Sequence, residues 1–241
     1  MCHLFSPGDI CPLGHYCPAG SSSGIACLAG TYLDSTGNYN SSACISCTPG
    51  MYCSGTGLPA PSGNCSRGYY CPGGQDNPTP VGLECTQGHY CLEGKSSPDR
   101  CPAGSYQDDV GQWMCKGCPA GYYCDDTLAA VVLYNNSACP EGFYCPDNTT
   151  FSTQYPCPLG TFSNTTHRTD SSECQACTGG MFCSQTGLTE PEGPCNAGMG
   201  WSEVNCFISI TSIVYKTMVV ISFRLTRTVI FKMSSIFIRL K

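Results

Sequence analysis

The sequence predicts a small disulfide-rich β fold, an elongated tandem array of short β-hairpin modules with little hydrophobic core. Two compositional observations point to this class. Only 24 of the first 206 residues are Leu, Ile, Val or Phe, too few to bury the apolar surface that an ordinary domain of this length requires. All 23 cysteines lie within the same 206 residues, a density typical of scaffolds in which cross-links replace the core.

A third observation is the motif Cys-x-x-Gly-x-Tyr-Cys, which recurs along the chain. Seven copies, one of them with Phe182 in place of tyrosine, occur at residues 11–17, 47–53, 65–71, 85–91, 118–124, 139–145 and 177–183. Three partial copies, at 27–32, 101–106 and 157–162, lack the second cysteine. The glycine suits a turn with positive φ or a close approach to a disulfide, and the aromatic residue begins a short extended segment. We therefore expect hairpins joined by polar loops.

The cysteines also define a larger unit of six. A C-x5-C doublet is followed by a single cysteine and then by a C-x2-C pair, and the units begin 54 and 56 residues apart at residues 85, 139 and 195. The predicted organisation is an N-terminal edge at 1–10, cysteine-rich repeat 1 at 11–64, repeat 2 with an extra doublet at 65–138, repeat 3 at 139–194, a truncated repeat at 195–206 and an apolar basic tail at 207–241.

The alternation of CxxG[TS][YF], C-x2-C and CxxGYYC over about residues 11–200 resembles the ephrin-receptor-like and growth-factor-receptor cysteine-rich repeats, which are EGF-like and TNF-receptor-like in style. The resemblance implies an extracellular stack of hairpins in a large adhesion or receptor protein, and it implies no particular ligand. It also implies direct bridges from Cys27 to Cys44, Cys101 to Cys115 and Cys157 to Cys174, with interlocked pairs such as Cys47 with Cys65 and Cys53 with Cys71. Four cysteines alone admit three connectivities.

Three cysteines remain outside the six-cysteine units and the extra doublet. Cys2, Cys195 and Cys206 all lie at the edges of the array, and we expect them to be free or paired outside this chain. The first residues contain no charged segment followed by an apolar one, so a signal peptide is expected upstream and the chain is interpreted as a fragment.

Two features favour an extracellular or cell-surface location. Disulfides persist in oxidising compartments, and five glycosylation sequons occur, at Asn40, Asn64, Asn135, Asn148 and Asn164. Asn64 is the weakest of them because Cys65 fills its middle position. The first 206 residues carry 17 acidic and five basic side chains, so nucleic acid is not an expected partner.

The C-x2-C pairs at 44–47, 115–118 and 174–177 raise the alternatives of a zinc site or a thiol-redox site. Each pair belongs to a six-cysteine unit and lies among turn residues, with no βαβ pattern nearby, so both are disfavoured. The acidic pairs at 108–109 and 125–126 lie inside loops and do not match a calcium motif, which favours solvated turns. No metal or other cofactor is therefore expected.

The histidines do not predict a catalytic site. His15 and His89 occupy the motif position that holds Met51 or Tyr69 in other copies, which indicates a packing surface, and His3 and His167 lie outside any catalytic motif. No phosphate loop, nucleophile elbow or pair of catalytic carboxylates is present, so we expect no enzymatic activity and no small-molecule substrate.

The tail differs from the rest of the chain. Residues 207–241 contain no Cys, Gly, Pro, Asp or Glu and carry six basic side chains. The segment 207–223 is apolar except for Lys216 and a few hydroxyl residues, which makes it a marginal transmembrane anchor, whereas the change of composition in mid-motif favours read-through of an exon boundary.

The sequence thus favours a non-enzymatic extracellular array that acts as a spacer or as a protein-interaction module. One alternative is the ectodomain of a single-pass receptor that contacts a membrane through residues 207–223. A remoter alternative is a secreted thiol–disulfide oxidoreductase. Protein partners are expected, and their identity does not follow from the residues.

Overall fold

The computed structural model describes residues 10–195, in which the regular structure consists of hairpins of two-residue strands. The strands are β1 His15–Tyr16, β2 Ile25–Ala26, β3 Thr31–Tyr32, β4 Ile45–Ser46, β5 Met51–Tyr52, β6 Gly63–Asn64, β7 His89–Tyr90, β8 Asp99–Arg100, β9 Ser105–Tyr106, β10 Lys116–Gly117, β11 Thr161–Phe162, β12 Gln175–Ala176, β13 Met181–Phe182 and β14 Gly193–Pro194. Each odd-numbered strand pairs antiparallel with the strand that follows it. The helical elements of this region are the 3-10 turns Ser41–Ala43 and Ser171–Glu173. The predicted disulfide-rich β array is confirmed.

The hairpins follow one another in ten short repeats, which we call rungs. A rung begins at the first cysteine of each motif copy, full or partial, and is 16 to 21 residues long; the first cysteines are Cys11, Cys27, Cys47, Cys65, Cys85, Cys101, Cys118, Cys139, Cys157 and Cys177. Seven rungs contain the strand pairs above, and rungs 4, 7 and 8 contain single antiparallel bridges, Tyr69–Glu84, Tyr122–Ala138 and Phe143–Pro156. The structural repeat is therefore about a third of the six-cysteine unit, whose predicted boundaries stay a prediction.

Every rung opens with the same β-turn. The residue after the motif glycine donates its N–H to the carbonyl of the residue after the cysteine, as His15 does to Pro12 at 3.3 Å and Met51 to Thr48 at 2.9 Å. The glycine in this turn has φ between +72° and +86° in all ten rungs. Glycine is required because an L side chain is strained in this conformation. The turn folds the chain back and starts the hairpin.

Two main-chain hydrogen bonds attach this glycine to the next rung. In the step from rung 3 to rung 4, Cys65 donates its N–H to the carbonyl of Gly50 at 2.9 Å, and Gly50 donates its N–H to the carbonyl of Cys71 at 2.8 Å. The first bond recurs at ten steps, up to Cys195, and the second at nine, with lengths between 2.7 and 3.1 Å. The glycine backbone is therefore saturated by the rung that follows it.

A second pair of bonds closes each step on the other side of the hairpin. Gly74 donates to the carbonyl of Cys47 at 2.8 Å, and Cys53 donates to the carbonyl of Gln75 at 2.9 Å. The bond made by Cys53 has an equivalent at nine steps, and the bond made by Gly74 at eight. Within the described residues, the second kind is missing at rung 7, where residues 125–134 form a longer loop. Asn148 and His167 occupy the place of Gly74 in rungs 8 and 9, with φ of 65° and 64°.

The core of the array consists of cysteine and glycine. Seventeen of its nineteen buried apolar side chains are cysteines, each at most 9 % exposed, and the other two are Leu33 and Phe162. The motif glycines of rungs 1 to 9 are buried as well, and those of rungs 1 to 8 lie against the rung after next. At Gly68, a Cβ atom would overlap the carbonyl of Gly111, two rungs further on.

One buried position of the partial motif copies belongs to this core, and the sequence alone did not indicate it. In the partial motif copies, Leu33, Gln107 and Ser163 stand where the full copies have their second cysteine, and each is at most 1 % exposed. Gln107 fills the place with a satisfied amide, which donates to the Met114 carbonyl at 2.7 Å and accepts from the Asp109 N–H at 3.0 Å. This buried position is therefore filled by an aliphatic, an amide or a hydroxyl side chain in different rungs.

Replacing the motif glycine tests the inter-rung contact. We expect Gly68→Ala to lower the free energy of unfolding by at least about 2 kcal/mol, because the positive φ alone costs about 1–2 kcal/mol and the Cβ also displaces rung 6. The measurement is denaturant unfolding under non-reducing conditions. Gly82→Ala, with φ of 81° and open space around it, isolates the conformational cost, and Gly55→Ala, also in open space, is the neutral control. Equal losses for Gly68→Ala and Gly82→Ala would contradict the packing argument.

Truncation of Leu33 tests the filled place in the partial copies. The side chain is 1 % exposed, so Leu33→Ala should cost about 2–4 kcal/mol of stability through lost burial and a residual cavity. Leu28→Ala, in the same rung and 74 % exposed, should change stability by less than about 0.5 kcal/mol. The same unfolding assay measures both variants, and a similar small loss for the two would show that the place is not part of the core.

Candidate functional site

The ten described disulfides follow two local patterns. In the seven full motif copies the two cysteines of the doublet pair with each other across six positions: Cys11–Cys17, Cys47–Cys53, Cys65–Cys71, Cys85–Cys91, Cys118–Cys124, Cys139–Cys145 and Cys177–Cys183. In the three partial copies the first cysteine pairs with the one three residues before the next rung: Cys27–Cys44, Cys101–Cys115 and Cys157–Cys174. The three direct bridges implied by the resemblance are thus present.

The interlocked pairing implied for Cys47, Cys53, Cys65 and Cys71 is wrong. The glycine turn brings the Cα atoms of Cys47 and Cys53 to 5.8 Å and those of Cys65 and Cys71 to 6.2 Å, within the range that a disulfide spans. Each doublet therefore closes on itself inside its own rung. Rungs 3 and 4 are therefore joined by main-chain hydrogen bonds and not by a disulfide.

The expectation for the edge cysteines also needs correction at one position. Cys195 is disulfide-bonded, so it is not a free thiol, one of the two states expected for the edge cysteines. Its N–H continues the ladder by donating to the carbonyl of Gly180 at 2.8 Å. Cys2 and Cys206 lie outside the described residues, as do His3 and the truncated repeat from residue 196 onward.

The C-x2-C pairs do not form bridges of their own. In the pair at 44–47, Cys44 bonds Cys27 of rung 2 and Cys47 bonds Cys53 of rung 3, and the pairs at 115–118 and 174–177 are divided in the same way. Each C-x2-C pair thus marks the junction of two rungs. Among residues 10–195, no group of three or more His, Cys, Asp or Glu side chains is arranged to hold a metal ion.

The histidines of the motif make local contacts. Nδ1 of His15 lies 2.9 Å from the carbonyl oxygen of Leu13, and Nδ1 of His89 lies 3.0 Å from that of Gln87. The His15 ring also lies against Gly57, two rungs further on. His167 stacks edge-on against Tyr122, with ring centroids 5.1 Å apart. The rings of His15 and His167 therefore pack one rung on another, whereas the described contacts of His89 lie within its own rung.

All five basic side chains between residues 10 and 195 are engaged within the array. Lys116 lies 2.5 Å from Asp108 and 2.7 Å from Asp109, and these hydrogen bonds raise the pKa of Lys116 and hold that of Asp108 below its usual value. The remaining pairs are Lys95 with Asp99 at 2.6 Å, Arg168 with Glu173 at 3.7 Å, the Arg100 guanidinium with the Asp126 carbonyl at 3.1 Å, and Arg67 over the Trp113 ring at 5.3 Å.

The acidic pairs considered for calcium have other partners. Asp108 and Asp109 bind Lys116, and Asp125 accepts the N–H of Thr127 at 2.9 Å, a hydrogen bond that lowers the pKa of its carboxyl group. Both pairs lie in surface loops. Their contacts are those of solvated turns held by local hydrogen bonds.

The five sequon asparagines are all exposed, but their side-chain amides differ. Asn40 caps the 3-10 turn Ser41–Ala43 with Oδ1, which accepts the N–H of Ser42 at 2.9 Å and also its hydroxyl. Asn64 instead uses Nδ2, the atom that would carry a glycan, to donate to Glu93 at 3.4 Å, and it lies against Gly94 two rungs further on. Asn40 is thus compatible with a glycan in a way that Asn64 is not.

Residues 207–241, for which a marginal transmembrane anchor or read-through of an exon boundary was predicted, lie outside the described residues. Over residues 10–195 no helix is long and apolar enough to cross a bilayer. The chain matches no protein-family model and no curated protein sequence.

Limited proteolysis tests the revised pairing. A cut within residues 54–64 should release the doublets at 47–53 and 65–71 as separate peptides without reductant, because each is closed on itself. A cut at Asp34, inside the loop closed by Cys27 and Cys44, should leave its two fragments joined until reductant is added. Non-reducing mass spectrometry distinguishes the two cases. Fragments that stay joined after the cut within 54–64 would restore the interlocked pairing.

Proposed function

We propose that this chain is part of a non-enzymatic extracellular protein and acts as a spacer or as a protein-interaction array, in the manner of the ephrin-receptor-like and growth-factor-receptor repeats it resembles. The observation that carries the proposal is the disulfide framework. Every cysteine between residues 10 and 195 is disulfide-bonded, and most are fully buried. A fold that depends on so many bridges is suited to an oxidising compartment.

The geometry supports a non-enzymatic role. The histidines between residues 10 and 195 make local hydrogen bonds or ring contacts, the acidic pairs bind lysine or main-chain N–H groups, and the C-x2-C cysteines form structural bridges in separate rungs. A thiol–disulfide oxidoreductase instead needs an accessible thiolate with a lowered pKa, next to a partner thiol. Cys47 and Cys118, the second members of two such pairs, are at most 1 % exposed.

The same framework supports the spacer role. Four kinds of main-chain bond repeat at nearly every step, so a rung depends on its neighbours and not on a shared central core. Such an array sets a distance between whatever is attached at its two ends. The loops between residues 10 and 195 include exposed residues in every rung, where a protein partner would bind.

Cell-surface labelling tests the location. An antibody against the array should stain intact, non-permeabilised cells that produce the natural full-length protein, and treatment with a membrane-impermeant protease should remove the signal. A cytosolic reporter protein in the same cells is the control for intact membranes. Staining that appears only after permeabilisation and does not coincide with secretory compartments would contradict the proposal.

Glycosylation gives a residue-specific test. We express residues 1–241 behind a signal peptide in eukaryotic cells, remove glycans with an amidase in heavy-oxygen water and locate the converted asparagines by mass spectrometry. We expect occupancy at Asn40, Asn135, Asn148 and Asn164, which are exposed. Asn64 should stay unmodified, because its Nδ2 binds Glu93 and Cys65 in its sequon is buried in a bridge. No occupancy at any of the four would count against passage through the secretory pathway.

A further inference from the structure

The covalent cross-links of the array are confined to single rungs. Each of the ten described bridges joins two cysteines of the same rung, across six positions in seven cases and across 14 or 17 in the other three. No described bridge joins one rung to another. Between neighbouring rungs, the only covalent link in this part of the chain is the backbone itself.

The contacts between rungs are hydrogen bonds and a few side-chain contacts of short range. Beyond the main-chain bonds, Arg67 reaches Trp113 and Arg100 reaches the carbonyl of Asp126, in both cases two rungs further on. The rings of Tyr106, Tyr122 and Tyr134 cluster around the long loop of rung 7, with centroids 4.9 and 5.0 Å apart. Interactions that extend only one or two rungs favour separation in steps over a single cooperative rupture.

We infer that the array is an extensible tether: under tension its rungs separate in succession, and the bridge inside each separated rung limits how far that rung can lengthen. This inference rests on the proposed spacer role, because a load acts only on a protein that is attached at both ends. The property itself belongs to the isolated chain and can be measured without knowing its attachments.

The bridge pattern sets how much length each rung releases. Seven loops close six residue steps each and the other three close 17, 14 and 17, so about half of the 184 steps from Cys11 to Cys195 are locked. At roughly 3.6 Å per extended residue, this segment reaches about 400 Å with its bridges intact and about 660 Å when they are reduced. Rungs 2, 6 and 9 release least, since their long bridges close most of the rung.

Stretching single molecules tests the inference. The full chain is held between two DNA handles attached through peptide tags at its ends and is pulled first without and then with a reductant. We expect several separate extension steps without reductant, recovery of the folded length on relaxation, and a further gain of at least about 240–260 Å when the bridges are reduced under load. One all-or-none rupture of the array, or a clearly smaller gain on reduction, would overturn it.

A matched pair of variants identifies the contact that separates. Gly68→Ala should lower the force of an early step, because it weakens the contact of rung 4 with rungs 5 and 6, whereas Gly55→Ala should leave the force pattern unchanged. Unchanged forces in Gly68→Ala would show that tension is carried elsewhere and would overturn the assignment. The surface-labelling result is independent of this one, so a failed localisation and a failed extension experiment lead to different conclusions.

Discussion

The structure depends on the contact between the motif glycine of one rung and the first cysteine of the next. Both polar atoms of the glycine backbone bond to the following rung, and the space where a side chain would be is filled by the rung after that. Because an unpaired buried main-chain group is costly, this pair of hydrogen bonds holds neighbouring rungs together, and the positive φ and the lack of space for a Cβ atom explain why the residue is glycine. The disulfide then fixes the turn that presents the glycine. Cysteine and glycine together do what aliphatic side chains do in larger cores.

The separate roles of cysteine and glycine explain which features the sequence could predict and which it could not. The hairpins, the scarcity of a core and the positive φ of the motif glycines follow from residue types at fixed spacing, and the structure has all of them. The pairing of Cys47 and Cys53 did not follow, because spacing alone leaves the partners of four cysteines open and the resemblance favoured a different connectivity.

Other features left a weaker trace in the sequence. Leu33, Gln107 and Ser163 share a buried place and no chemistry, so only their distance of six residues from a motif cysteine could have identified them. The spacing of the Cys-x-x-Gly motif by itself gives the length of a rung, but the pattern of cysteine doublets led to the prediction of a unit three times longer. Asn148 and His167 show the same limit, since the position they share with Gly74 is defined by a hydrogen bond to the preceding rung and by no common residue type.

The long loop of rung 7 has a consequence for how such a protein can change. Residues 125–134 lengthen the rung, Leu128 at its tip is 97 % exposed, and the ladder nevertheless resumes at Cys139 with the same bonds as elsewhere. The bridge Cys118–Cys124 closes before the loop begins, so added residues lie outside the cross-linked turn. Insertions at this point therefore alter the surface without altering the register of the array. A lineage can acquire new surface loops there by simple lengthening, while the framework that carries them stays the same.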